Sequence, residues 1–155
     1  IVMAGGVPVH VPLTPGTFAP DFERIAAAIT PKTRALIINT PHNPSATVWS
    51  EHDMQRLATL LRPTDIVLIA DEVYEHMVFD GQLHQSVARS PELAARSFVI
   101  SSFGKTYHVT GWKIAYVAAP ATRPTRAAWI LMARVGALLL PSVVMNTTSA
   151  RSRGR

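Results

Sequence analysis

The sequence predicts a three-layer α/β/α fold, in which helices flank a mostly parallel sheet. Over residues 1–120, short β-branched runs alternate with amphipathic helical patterns. The strand-like runs are largely apolar instead of alternating with polar residues, which is typical of strands buried on both faces. With 155 residues, the chain is long enough to form one domain with a buried core.

Five apolar runs are predicted as strands. They are Val7–Leu13, Ala35–Asn39, Ile66–Asp71, Ser97–Ser101 and Ala115–Ala119. Short polar turns at residues 40–46 and 101–111 follow two of them. In open α/β sheets, ligands bind beyond the carboxyl ends of the strands, so this edge is the expected functional site.

Two stretches between the strands are predicted as helices. The first opens at Asp21 with an acidic first turn and carries Phe22 on its apolar stripe. The second begins after Ser50, which forms a plausible N-cap pair with Asp53, and it ends at Pro63.

Asp71 and Lys105 are the two residues at this edge that point most directly to chemistry. A carboxylate at the end of an apolar strand needs a cation or strong donors, although Asp71 could also simply cap the following turn. Lys105 follows a Ser-rich turn, where partial desolvation would make its amine a nucleophile. Without its neighbours it would be interpreted as a surface lysine.

A phosphate-binding ATPase is a rival interpretation of the same residues. Asp71-Glu72 resembles a magnesium-binding strand end, and Gly104-Lys105-Thr106 resembles the end of a Walker A loop. That loop requires glycine five positions before Gly104, where this chain has Val99. The two motifs also occur in reversed order, so the sequence argues against this class.

Charge and composition restrict the remaining function classes. Residues 1–120 contain nine Lys or Arg and ten Asp or Glu, whereas residues 121–155 contain six arginines and no acid. The net charge of +5 therefore belongs to the tail, which lacks the interleaved aromatic residues of nucleic-acid-binding segments. The apolar run 127–145 contains Arg134 and Pro141, which argue against a membrane span.

Metal binding and export are not predicted either. The chain has no cysteine, and its histidines lack metal-ligand spacing, so we assign no metal. The first residues do not form a signal-peptide pattern. We therefore expect a cytoplasmic protein with neither a nucleic-acid nor a membrane partner.

Four segments together resemble the class I/II aminotransferases of pyridoxal-phosphate fold type I. They are Asn39–Ala46 (NTPHNPSA), Ala70–Tyr74 (ADEVY), Ser102–Lys105 (SFGK) and Thr110–Tyr116 (TGWKIAY). Their order and spacing match the family, and the methionine, aromatic and kynurenine aminotransferases are the most similar. The resemblance covers residues 1–120, which would form part of the large, cofactor-binding domain.

The resemblance implies catalytic roles for Lys105, Asp71 and Tyr74 and a cofactor-binding role for Asn43. Lys105 would form a Schiff base with pyridoxal 5'-phosphate and later move the substrate α-proton. Asp71 would pair with the protonated pyridine nitrogen of the cofactor. Asn43 and Tyr74 would donate hydrogen bonds to its phenolic oxygen.

The resemblance also implies that Ser102 and Lys113 bind the cofactor phosphate. Position 113 is Lys where many relatives have Arg, which exchanges a bidentate fork for a point charge. Ser45-Ala46 stands where the wider family usually has Thr-Gly. The Asn43-Pro44 bond is a candidate for the cis isomer found at this place in the family.

The implied reaction is transfer of an amino group between an amino acid, of methionine or aromatic type, and a 2-oxo acid, by a homodimeric enzyme. Carbon–sulfur β-elimination from cysteine conjugates starts from the same chemistry and remains an alternative. The family's proteins are more than twice as long as this chain, so an inactive fragment is a third alternative.

Residues 121–155 depart from the family pattern, which continues into an amphipathic, charged helix. Here the sequence turns to Ala, Leu and Arg without any acid. We interpret this tail as atypical, either translated out of frame or a divergent helix with a disordered basic end.

Overall fold

The computed structural model describes residues 1–121 and 143–147. Six strands are described: β1 (Gly6–His10), β2 (Thr33–Asn39), β3 (Val67–Asp71), β4 (Ser97–Ser102), β5 (Ala115–Ala118) and β6 (Val143–Thr147). Within the described residues, the α-helices are α1 (Phe22–Ala28), α2 (Glu51–Leu61), α3 (Pro91–Ala94) and α4 (Phe103–Thr106).

The strands form one sheet in the order β1-β6-β2-β3-β4-β5. β2, β3 and β4 are parallel neighbours. β6 is antiparallel to both β1 and β2, so β1 runs in the same direction as β2, and β5 is antiparallel to β4. Four of these six strands therefore share one direction, and the predicted α/β class with a mostly parallel sheet is confirmed.

The two faces of the sheet carry alternate residues of β2 and β3. Leu36 and Leu68 are fully buried on the face covered by α1, α2 and α3, whose apolar residues join the same cluster. Ala35 and Ile69 belong to a smaller cluster on the opposite face. Because successive strand residues point to opposite faces, this separation fixes which side chains can meet the helices.

Local signals set the helix starts as predicted. The Asp21 side chain accepts the Arg24 N–H at 3.0 Å and caps α1. Ser50 and Asp53 form a complete capping box at the start of α2, because each side chain accepts the other's backbone N–H.

Two features of the sheet differ from expectation. β1 ends at His10, earlier than the predicted Leu13, where Pro12 lacks the N–H that a ladder needs. Residues 143–147, which lie inside the predicted atypical tail, form the strand between β1 and β2. Residues 122–142 and 148–155 of that tail lie outside the described residues, and its out-of-frame origin stays a prediction.

Within residues 1–121 and 143–147, no helix combines the length and apolar character that crossing a membrane requires.

Candidate active site

The carboxyl ends of β2, β3 and β4 meet at one edge of the sheet. Their register aligns Asn39 with Asp71, and Asp71 with Ile100. Because the strands are parallel, the segments that follow them leave the sheet side by side. Five of the six predicted site residues lie at the strand ends or on these segments: Asn43, Asp71, Tyr74, Ser102 and Lys105.

Asp71 is the last residue of β3 and is partly buried. Its carboxylate accepts a hydrogen bond from the Val73 N–H at 3.3 Å. Burial raises the pKa of the Asp71 carboxyl, while the Val73 N–H and the Lys105 charge act in the opposite direction and the nearby Glu72 adds to the rise. A partly desolvated carboxylate of this kind is well suited to pair with a cationic ring nitrogen.

Asn43 and Tyr74 come from neighbouring segments and are in direct contact. The Asn43 side-chain amide donates to the Tyr74 hydroxyl at 3.3 Å. This contact places two polar donors beside the end of β3, as the resemblance implied for a pair that holds one ligand oxygen.

Asn39 positions Asn43, although no role was predicted for it. Its Oδ1 accepts the Asn43 N–H at 3.0 Å, and its Nδ2 donates to the Asp71 carbonyl at 3.0 Å. Asn39 is 3% exposed, and both bonds are partly buried. Asn39 opens the motif Asn39–Ala46, but its bond to Asp71 depends on the pairing of β2 with β3, which brings together residues 32 positions apart.

Lys105 lies in α4, the single helical turn that follows β4. The Ser102 hydroxyl caps this turn by accepting the Lys105 N–H at 3.3 Å. The Lys105 ammonium nitrogen lies 5.5 Å from the centre of the Tyr74 ring. Lys105 therefore approaches the segment that carries Tyr74.

Gly104 makes this turn possible. It is buried, and a Cβ at this position would lie 3.1 Å from the Cα of Thr110. The Thr110 hydroxyl and the Val109 N–H both donate to the Gly104 carbonyl. The close packing of residues 104 and 110 fixes the course of the chain next to Lys105.

A cavity of about 160 Å³ adjoins Lys105 and Tyr74. Its lining residues are Val73, Tyr74, His76, Met77, Lys105, Thr106 and His108. The cavity gives the Lys105 segment a concave surface in which a small molecule can lie.

The turn that carries Asn43 is stabilised from within. His42 Nδ1 and the Ser45 hydroxyl are 2.7 Å apart, and Ser45 also donates to the Thr47 hydroxyl at 3.0 Å. Burial lowers the pKa of His42, which favours the neutral ring at neutral pH. The peptide bond before Pro44 is cis, as the resemblance suggested.

Lys113 is the predicted site residue that the structure does not join to the others. It is exposed, has a left-handed backbone with φ of 56°, and follows a short 3-10 turn. Across the part of the chain that the structure describes, its side chain forms no hydrogen bond or ion pair with the other five. A bond of 3.4 Å from Gly104 N–H to the Ile114 carbonyl ties the neighbouring residue to α4.

Comparison with known sequences identifies relatives of this chain. The family model for aminotransferase class I and II matches residues 1–152. A methionine aminotransferase from Escherichia coli is 47% identical over 121 residues, which cover 78% of this chain and 31% of that protein. Human kynurenine–oxoglutarate transaminase 1 is 40% identical over 130 residues, covering 77% of this chain and 31% of the human protein.

Solved structures agree with the sequence relatives. A methionine aminotransferase from Escherichia coli superposes with a TM-score of 0.72 at 43% identity, covering 83% of this chain and 34% of that one. N-succinyldiaminopimelate aminotransferase from Mycobacterium tuberculosis gives a TM-score of 0.70 at 41% identity, with coverage of 83% and 32%. The chain spans about a third of the length of these relatives, and it belongs to the class I and II aminotransferase family.

Proposed function

We propose that the protein containing this chain is a pyridoxal-phosphate-dependent aminotransferase. It exchanges an amino group between an amino acid, of methionine or aromatic type, and a 2-oxo acid, and it works as a cytoplasmic homodimer. The observation that carries the proposal is the meeting of Asp71, the Asn43–Tyr74 pair and Lys105 at one sheet edge. The names of the relatives support the amino-acid class.

The described residues fit the cofactor. Asp71 offers a partly buried carboxylate whose pKa burial raises, so a proton or a cationic partner at this place relieves the cost of burying its charge. Asn43 and Tyr74 offer an amide and a hydroxyl beside it. Lys105 offers the amine, and Ser102 begins the turn that carries it.

Each residue has a distinct task in this proposal. When bound, pyridoxal phosphate supplies a ring that accepts electrons from the substrate α-carbon. Asp71 holds the proton on the pyridine nitrogen, while Asn43 and Tyr74 orient the ring through its phenolic oxygen. Lys105 provides the amine for covalent attachment and then moves the proton from the substrate α-carbon. Ser102 and Lys113 bind the phosphate.

Covalent labelling of Lys105 tests the proposal. We expect borohydride treatment of the purified protein with pyridoxal phosphate to fix the cofactor on one lysine, because reduction makes the attachment permanent. The chain has three lysines, so Lys32 and Lys113 serve as internal controls in peptide mass spectrometry. Label on Lys32 or Lys113 at the level of Lys105 would contradict the assignment. Production of pyruvate and ammonia from a cysteine conjugate, without amino transfer, would indicate the lyase instead.

Tyr74→Phe is expected to weaken pyridoxal-phosphate binding by roughly two- to tenfold, the effect of one lost hydrogen bond. The variant keeps the ring near Lys105 and removes only the hydroxyl that contacts Asn43. Cofactor affinity is measured by absorbance titration. Tyr107→Phe is the matched control, because Tyr107 is 65% exposed. Equal losses in both variants would show that the Tyr74 hydroxyl has no special role.

A further inference from the structure

A buried acid lies directly behind the proposed site. Glu72 is 1% exposed. It follows Asp71, and its side chain points to the opposite face of the sheet, the face that Leu68 and Ala70 share with the helices. An ionised carboxylate in such a place is costly to the fold unless donors satisfy it.

Two donors from a distant segment satisfy Glu72. One carboxylate oxygen accepts the Val87 N–H at 3.0 Å, and the other lies 2.8 Å from His84 Nε2. An ionised carboxylate only accepts, so His84 donates through Nε2. The other ring nitrogen of His84 is buried and has no hydrogen-bond partner among the described residues, so the bond to Glu72 is the one that orients the ring there.

The backbone of Glu72 connects the same residue to the proposed site. Its N–H donates to the Ile100 carbonyl at 2.9 Å, which continues the β3–β4 pairing past Asp71. Its carbonyl accepts the Glu75 N–H at 2.9 Å, which closes the turn that contains Tyr74. One buried residue therefore joins the end of β3, the Tyr74 turn and the segment 84–87.

Building on the proposed function, we propose that Glu72 and His84 are positioning residues that hold Asp71 and Tyr74 in place for the cofactor. Neither side chain needs to touch the ligand. An apolar residue at position 72 would leave the buried Val87 N–H and His84 Nε2 without this acceptor, so the acid ties segment 84–87 to the end of β3. Its negative charge also strengthens the affinity of neighbouring Asp71 for a proton.

The test compares His84→Leu, which removes the donor, with His84→Gln, whose amide can still donate to Glu72. In the cofactor-free protein, hydrogen exchange followed by mass spectrometry reports opening of residues 71–75 and 84–87. We expect His84→Leu to speed exchange in both segments by about tenfold to a hundredfold, the factor for a hydrogen bond to a charged group. We expect His84→Gln to restore most of the protection, and His52→Leu, at an exposed position of α2, to change nothing.

Pyridoxal-phosphate affinity is the second measurement on the same variants. We expect it to fall in His84→Leu and to recover in His84→Gln. Faster exchange in residues 84–87 alone, with residues 71–75 and cofactor affinity unchanged, would overturn the proposal. If His84→Leu does not fold, Glu72→Gln takes its place, because it removes the charge and keeps an acceptor for the Val87 N–H. If the unaltered protein binds no cofactor, the proposed function fails, while the exchange data still decide whether His84 anchors residues 71–75.

Discussion

Replacement of Lys105 by alanine is expected to reduce amino transfer by about 10⁴- to 10⁶-fold, the range seen when an enzyme loses its nucleophile. The physical reason is that the proposed function uses the primary amine twice, for covalent attachment and for proton transfer at the α-carbon. The rate of 2-oxo acid formation from methionine or an aromatic amino acid measures the effect. Lys32→Ala, in the turn before β2, is the control and should keep the full rate.

The variant Lys105→Arg tests whether residue 105 is needed for its amine or only for its positive charge. Arginine keeps a positive charge near Asp71 and Tyr74, but its guanidinium stays protonated and cannot attack a carbonyl. We expect this variant to be as inactive as Lys105→Ala. Substantial activity in Lys105→Arg would mean that residue 105 acts only electrostatically, and the catalytic assignment would be wrong.

Asp71→Asn is expected to have opposite effects on catalysis and on stability. Amino transfer should fall by about 10²- to 10³-fold, the size of effect when one preorganised electrostatic group is lost. The free energy of unfolding of the cofactor-free protein at neutral pH should rise by roughly 1 kcal/mol, which is typical of a single stabilising substitution. The amide oxygen can still accept the Val73 N–H, so the turn after β3 is retained.

The sign of the stability effect follows from the raised pKa of Asp71. Burial raises this pKa in the folded state, so the folded protein holds the proton more tightly than the unfolded chain does. The stability contributed by Asp71 is complete at pH values below the pKa that its carboxyl has in the unfolded chain. This stability is lost as pH rises through the pKa that the carboxyl has in the folded protein. Urea unfolding from acidic to neutral pH should show this loss in the unaltered protein and not in Asp71→Asn. Asp65→Asn, at an exposed position, is the control and should keep the slope.

Local features of the fold could be predicted well from the sequence. The capping box of Ser50 and Asp53 needs only residues three positions apart, and it is present. The cores of five strands were also recognised, because each is a continuous apolar run. β1 was predicted three residues too long, since the pattern of valines continues past His10 while the hydrogen-bond ladder does not.

Contacts between distant segments could not be predicted in the same way. Asn39 and the Glu72–His84 pair depend on which strands are neighbours and on where the segment after β3 returns. Asn39 and Glu72 lie within the motif segments, but no local pattern predicts these contacts, because an asparagine at a strand end and a histidine in a loop are ordinary. Lys113 is the opposite case, in which a local motif predicted a role that contacts between distant segments do not support. A motif suggested its role, but the described geometry does not join it to the other site residues.

The segments that leave the sheet edge are short. Only four positions separate Asn39 from Asn43, and three separate Asp71 from Tyr74 and Ser102 from Lys105. Each of these proposed site residues thus lies within four positions of a strand end, where the backbone is anchored by the hydrogen-bonded ladder. Immobilising a loose side chain or loop consumes part of the binding energy of any ligand. At this edge the backbone is already ordered by the sheet, so a bound molecule loses less of its contact energy to ordering the chain.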